Sequence, residues 1–227
     1  MWPTAPRSSM DIAPGGARYA VAALLAGLAA ARRLGRRVGV ALGLVGAAAV
    51  LAFHRDPERT PPADGVVAPA DGVVSVVRTE EHDGDARVRV GVYMSALNVH
   101  VNRVPLGGTV AAVEHVPGGN RLAFSKDSEH NERVHVDVEG AHDYRVTLIA
   151  GAFARRIHPY VAAGDDLARG ERLGHISFGS RADVLLPAGV VEEDLLVSEG
   201  ETVRAGETRI AELQPPRQGS TTQLPEF

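Results

Sequence analysis

Five residues of this chain recur at an offset of 36: Val161, Gly164, Leu167, Gly170 and Glu171 return as Val197, Gly200, Val203, Gly206 and Glu207. The shared pattern V-x-x-G-x-x-[LV]-x-x-G-E sets a glycine at each of two turns around one inward-pointing apolar residue. Glycine suits such places because it accepts a positive φ or a close backbone approach that other residues resist. The segments around the repeat are short, Val-rich and punctuated by Asp-Gly, Pro-Gly or Gly-Gly. Val73–Val77, Arg87–Met94, Thr109–Val116, Val134–Val138 and Tyr144–Ala150 therefore read as strands. The clearest is Val134-His135-Val136-Asp137-Val138, whose alternation puts three valines on one face and the His and Asp on the other.

The duplicated turn resembles the hammerhead of biotinyl and lipoyl-type domains and their barrel-sandwich relatives, as does the strand entry Ala68-Pro69-Ala70-Asp71-Gly72-Val73-Val74. The expected fold is mainly β, a barrel-sandwich or hammerhead-like domain over residues 54–213, followed by a flexible tail at 214–227 rich in Pro, Gln, Ser and Thr.

The first 53 residues follow another pattern. Apolar runs at Tyr19–Ala31 and Val38–Phe53 are separated by Arg32, Arg33, Arg36 and Arg37. A sixteen-residue helix spans roughly 24 Å, short of a hydrocarbon core of roughly 30 Å. A shallow membrane-associating hairpin or one marginal span is expected; the competing arrangement is an amphipathic pair packed on the protein's own core. The Pro-punctuated stretch Phe53–Pro62 ends the second helix. Charge divides at the same place. Residues 1–59 carry eight Arg against three acids, whereas the remainder holds sixteen basic residues against twenty-five acids. A basic, apolar segment on an acidic body suits an anionic membrane surface and disfavours nucleic acid.

Composition removes several chemistries. There is no Cys, so disulfides, thiolate metal sites and cysteine nucleophiles are excluded. Lys126 is the only lysine, and none lies between Gly140 and Phe227, which leaves a biotinyl or lipoyl carrier without an attachment point in the repeat region. The nine His show no metal-ligand spacing, and no metal is expected. Gly179-Ser180 lacks the second glycine of a nucleophile elbow.

Four polar segments exceed what a plain β-sandwich requires: Pro69–Gly72, Asn98–Pro105, Asn131-Glu132-Arg133 and Phe178–Arg181. Read in order with Phe53-His54-Arg55-Asp56-Pro57, Met94–Pro105, Gly151-x-x-Ala154-Arg155-Arg156-Ile157 and Gly174-x-Ile176-x-Phe178-Gly179-Ser180-Arg181, the chain resembles the compact prokaryotic branch of the phosphatidylserine decarboxylase family over about 135 residues.

That resemblance implies a pyruvoyl-dependent decarboxylase acting on phosphatidylserine to give phosphatidylethanolamine and CO2. The proenzyme would cut itself at Gly179-Ser180, and Ser180 would become a covalent pyruvoyl group, the only cofactor expected. Loss of CO2 leaves electrons on Cα that no standard side chain can accept, and a pyruvoyl carbonyl can. Cleavage would give a β chain of 179 residues and an α chain of 48, held together by strands from both. By the same resemblance Asp71 and His100 join Ser180 as catalytic residues, with Asp71 orienting the imidazole that removes the serine proton. Arg155 and Arg156 would serve the lipid phosphate, and Asn131 and Arg133 are further substrate-binding candidates. His158 and His175 match no motif and read as bystanders. Longer relatives have a second His where Arg103 stands, and Gly-Ser-Thr where this chain has Gly-Ser-Arg. Partners would be the lipid and the two chains of one precursor, with a homo-oligomer left open. The expected location is the cell membrane, peripheral or shallowly inserted, with the catalytic body cytoplasmic. Two other readings stand: a non-catalytic membrane-tethered biotinyl/lipoyl-like module, and the same chemistry on an archaetidylserine-type lipid.

Overall fold

The structure, a computed structural model, describes residues 11–119, 130–151, 156–176 and 180–213. Gly179, Arg155 and the tail at 214–227 lie outside the described residues. Strand β1 (Asp11–Ile12) leads into helices α1 (Gly16–Leu34) and α2 (Arg36–Phe53), and β2 (Arg55–Asp56) follows. The body continues through β3 (Val66–Val67), β4 (Gly72–His82), β5 (Asp85–Met94), β6 (Val101–Arg103), β7 (Gly108–Val116), β8 (Arg133–Glu139) and β9 (Tyr144–Ile149). It ends with β10 (Ile157–Pro159), β11 (Asp166–Leu167), β12 (Arg172–Ile176), β13 (Ser180–Leu185), β14 (Thr202–Val203) and β15 (Arg209–Ala211). The fold is mainly β with an N-terminal helical hairpin, as expected.

The helices run as an antiparallel pair because Gly35, at φ 89°, breaks the chain between them. Their buried positions are Gly16, Ala20 and Gly27 on α1 and Gly39, Gly43 and Ala47 on α2. The seam is backbone against backbone: a Cβ on Gly39 would sit 2.3 Å from Ala31 Cα, and one on Gly27 2.4 Å from Gly43 Cα. Large apolar side chains point the other way, with Leu25 61% and Val45 68% exposed. The main core cluster of the body contains no described residue of either helix. The pair therefore does not pack on the protein's own core. At its foot, β1 pairs with β2, and Ala13 N–H donates to His54 O at 2.7 Å.

An eight-stranded antiparallel sheet in the order β11-β7-β8-β9-β13-β5-β4-β14 forms most of the body. A three-stranded sheet, β10-β12-β6, and the pair β15-β3 complete it. One row of paired residues, Val134, Leu148, Ala182, Val92 and Val74, crosses five strands and is at most 2% exposed throughout. Each Val or Leu side chain of the row removed from water contributes roughly 1.5–3 kcal/mol. The β8 valines alternate with half-buried Arg133, His135 and Asp137, as the sequence pattern requires.

The two repeat copies clamp opposite ends of this sheet. Gly164 and Gly200 have φ of 91° and 92°, and Gly170 and Gly206 have 77° and 73°. Gly164 N–H donates to Val110 O and Gly200 N–H to Val74 O, both at 2.8 Å; Gly170 and Gly206 donate to Val104 O and Ala68 O. The acceptors are also 36 residues apart, so the duplication extends to the strands on which each turn docks. Leu167 and Val203 fill the inside of the two turns.

Candidate functional site

Ser180 opens β13, the strand enclosed by β5 and β9. It pairs with Met94, shares the inward face of Ala182 and Val184, and is fully buried. Its hydroxyl has no hydrogen-bond partner among the described residues. Immediately upstream, β12 belongs to the other sheet, so the chain passes from one sheet to the other between Ile176 and Ser180. That crossing contains the Gly179-Ser180 bond.

His100 lies at the near side of the same crossing, where Ile176 N–H donates to His100 O at 3.3 Å. The imidazole is 2% exposed and packs 4.2 Å from the Phe53 ring. His100 Nδ1 lies 3.0 Å from Asn98 O, so Nδ1 carries the proton and Nε2 the lone pair. Burial, followed by the positive charges of Arg55 and His54, pushes the His100 pKa down to about 4 against the opposing pull of the Asn98 carbonyl. At neutral pH this is a dry, uncharged imidazole.

Asp71 is placed differently from the expectation. Its carboxylate accepts both oxygens' worth of contact from Arg59 Nη2 at 2.9 Å and takes Ala205 N–H at 2.8 Å. Arg59 also reaches Glu207 at 3.1 Å. Asp71 thus bolts the second repeat to the connector that follows α2, and the carbonyl of Asn98, not Asp71, orients His100. The physical reason is that the Arg59 guanidinium and the Ala205 N–H both offer donors to the Asp71 carboxylate.

Arg103, where longer relatives have the second His, is also committed to structure. It donates to Asp56 Oδ1 at 2.5 Å and to Pro57 O at 2.8 Å, and Asp56 takes a second guanidinium from Arg172. Arg103 and Asp56 are buried. The polar run His54–Arg59, read from sequence as a helix stop and boundary, is therefore an ion-paired strap between hairpin and body. Arg181, next to the cleavage position, pairs with buried Asp183 at 2.7 and 2.9 Å on the sheet face opposite Ser180.

Among the substrate-binding candidates, Asn131 is buried and donates to Ala150 O at 2.8 Å, which braces the entry to β8. Arg133 starts β8 half-buried, level with Ile149 and Arg181 across the sheet. Arg156 is exposed and helps line a cavity of about 140 Å³ at the foot of the hairpin. His158 and His175, read as bystanders, line the same cavity and stack at 4.5 Å. Sequence reasoning also left out Arg18, Tyr19, His54 and Tyr160, which line it too. Only His54 carried a usable signal, as part of the Phe53–Pro57 motif.

Residues 47–211 match the family model described as phosphatidylserine decarboxylase. A protein of Halobacterium salinarum named as a putative archaetidylserine decarboxylase proenzyme is 63% identical over 174 residues, covering 77% of this chain and 84% of that one. The phosphatidylserine decarboxylase proenzyme of Streptomyces griseus is 47% identical over 218 residues, 90% of this chain and 98% of the relative. That of Streptomyces coelicolor is 50% identical over 193 residues, with 84% and 85% covered.

Proposed function

Since the chain belongs to the phosphatidylserine decarboxylase family, we propose that it converts phosphatidylserine to phosphatidylethanolamine and CO2 after cutting itself between Gly179 and Ser180. The observation that carries this reading is the Ser180 hydroxyl, fully buried with no hydrogen-bond partner among the described residues. A hydroxyl left so costs roughly 1–3 kcal/mol. A site that keeps one at a sheet crossover whose near side carries a neutral buried imidazole is set up to consume it.

In the cleavage, His100 Nε2 takes the Ser180 proton as the oxygen adds to the Gly179 carbonyl and passes it to the amide nitrogen, which leaves as the Ser180 amine and gives an ester. Loss of the Ser180 α-proton then expels the Gly179 carboxylate and leaves dehydroalanine, whose imine form takes up water and releases ammonia. The small, apolar surroundings of Ser180, with Met94 and Ala182 on its face, fit a pyruvoyl group in place of the side chain. When present, that group supplies a carbonyl that condenses with the substrate amine and accepts the electron pair freed as CO2 departs. His100 Nε2 relays to Cα a proton drawn from solvent, which closes the reaction. Arg103 is a fixed cation and no base, and Asp71 serves as a positioning residue through Arg59. Arg156 supplies positive charge for the lipid phosphate, with Arg155 beside it in sequence, and Asn131 and Arg133 support the entry to β8.

The topology suits a protein that works as two chains. Strand β13 pairs with β5 and β9, β14 with β4, and β15 with β3, so every α-chain strand is held by β-chain strands. At the membrane, α2 is long and apolar enough to cross, with 17% of its span buried. The four tip arginines argue against full crossing, since cationic segments are retained on the cytoplasmic side and each Arg costs at least about 2.5 kcal/mol in mid-bilayer. We therefore place the hairpin in the cytoplasmic leaflet at shallow depth, with the body on the cytoplasmic face.

Denaturing mass spectrometry of the full-length protein, paired with CO2 release from carboxyl-labelled phosphatidylserine, tests the reading. Two chains split before residue 180 are expected, the shorter with a blocked, hydride-reducible end. Ser180→Ala should give one uncut chain of 23.9 kDa and no measurable turnover. An uncut wild-type chain that still decarboxylates lipid would overturn the mechanism. A parallel assay with an ether-linked serine lipid compares the two backbones, whose headgroup chemistry is identical.

A further inference from the structure

The cavity at the foot of the hairpin collects positive charge from distant parts of the sequence. Arg18 enters from the first turn of α1 and Arg156 from the approach to β10, and no carboxylate pairs with either among the described residues. Both guanidiniums bear on one imidazole, His158, whose pKa burial and these two charges depress. Arg18 is held in place: its guanidinium lies 4.9 Å over the Tyr19 ring and donates to the Tyr19 hydroxyl at 3.2 Å. Tyr19 in turn packs 5.7 Å from His54, whose Nδ1 is committed to Val50 O at 2.9 Å. On the opposite wall Tyr160 Oη lies 2.8 Å from His175 Nδ1. Both guanidiniums are exposed, and two such cations facing one recess suit an anionic ligand, which arginine can bind bidentately. The volume of about 140 Å³ leaves room for one phosphodiester.

The cavity adjoins His100 by two routes. His54 is next to Phe53, whose ring packs on His100, and His175 precedes Ile176, whose N–H binds the His100 carbonyl. In a serine phospholipid the phosphate is only a few bonds from the carbon that loses CO2, so the headgroup's anion must sit close to the reacting centre.

We propose that this cavity seats the phosphodiester of the substrate, with Arg18 of the hairpin and Arg156 of the body as its two cationic jaws. The inference rests on the decarboxylase reading above and deepens it: the hairpin forms half of the headgroup site as well as contacting lipid.

The test uses full-length, self-cleaved enzyme and dihexanoyl phosphatidylserine below its micelle concentration, so that no bilayer is present. Arg18→Ala and Arg156→Ala should leave self-cleavage complete, raise KM about tenfold or more and hold kcat within about threefold. Arg18→Lys should recover part of the loss. Glycerophosphoserine should inhibit the parent competitively and lose potency in both alanine variants; inorganic phosphate should inhibit far more weakly, which separates a headgroup seat from a free-phosphate site. An unchanged KM in the cleaved double variant overturns the proposal, as does a defect confined to vesicle substrate, which would make Arg18 a membrane contact only. If an alanine variant is not cleaved, Arg18→Gln and Arg156→Gln, which also remove the charge, decide by the same KM criterion. A parent enzyme that cleaves itself yet releases no CO2 from serine phospholipid removes the parent reading, and the inference with it.

Discussion

The hairpin and the β body bury side chains by opposite rules. In the body, Val, Leu and Ile point inward and are fully enclosed, and the backbone ladders join two sheets. In the hairpin the small residues point inward, while Leu25, Leu28, Leu44 and Val45 face outward at more than half exposure. A water-soluble helix pair would invert that arrangement. Close backbone seams of small residues are how helices associate when their surroundings are as apolar as leucine. Under the membrane placement proposed above, one chain is folded for two solvents, and the strap from His54 to Arg59 is where they meet.

Breaking the strap should have the largest effect. Asp56→Ala leaves Arg103 buried beside Arg172 without its ion-pair partner, and removing one partner of a buried pair costs roughly 3–5 kcal/mol. We expect little soluble, self-cleaved protein at 37 °C and a thermal midpoint lowered by about 2–4 °C per kcal/mol; an unchanged midpoint would show the strap to be ornamental. Gly39→Leu should act on the hairpin alone. Its side chain would collide with Ala31, so the seam opens and partition onto anionic vesicles falls, while the body's melting in detergent stays within about 1 °C and self-cleavage remains complete. A body that melts early in this variant would join the two regions that the comparison separates.

How much of this was readable before folding depends on whether a residue's role is local. The repeat glycines were legible because each positive φ is a property of its own turn, and the β8 valines because alternation reports one sheet face. Helix α2 was legible to within two residues, since Phe53 and the prolines beyond it stop the helix. Strand β13 was not: Ser180-Arg181-Ala182-Asp183 looks polar, and it is fully buried because Arg181 and Asp183 neutralise each other across a face that no alternation pattern reveals. Asp71 and His100 were picked out together from their motifs, but what each touches is set by Arg59 and Asn98, and pairing across the fold leaves no spacing to read. The cavity of Arg18, His54, Arg156 and His175 was invisible for the same reason, being assembled from four separated segments.

The smallest expected effect is a pH response that only one region should show. His100 and His175 are held neutral by burial, with pKa values pushed down to about 4 and about 3 from an ordinary 6.5. The neighbours that add to this are Arg55 and His54 around His100, and His158, His54 and His100 around His175. Between pH 6.5 and 4 the unfolded chain therefore binds protons that the folded chain refuses, so their contribution is fully present above about 6.5 and is lost as pH falls. By pH 5 each imidazole should have given up on the order of 1–2 kcal/mol, and the body's thermal midpoint should drop by several degrees relative to pH 7.5. The helices contain arginines but no His, Asp or Glu between Gly16 and Phe53, so hairpin partition onto neutral vesicles should not change over this range. His175→Gln should flatten the slope of the body's midpoint without altering that partition. A midpoint flat from pH 7.5 to 5 would mean that water or a counter-charge reaches these rings, and His100 would then lose the dry, uncharged state that lets it act as the base for Ser180.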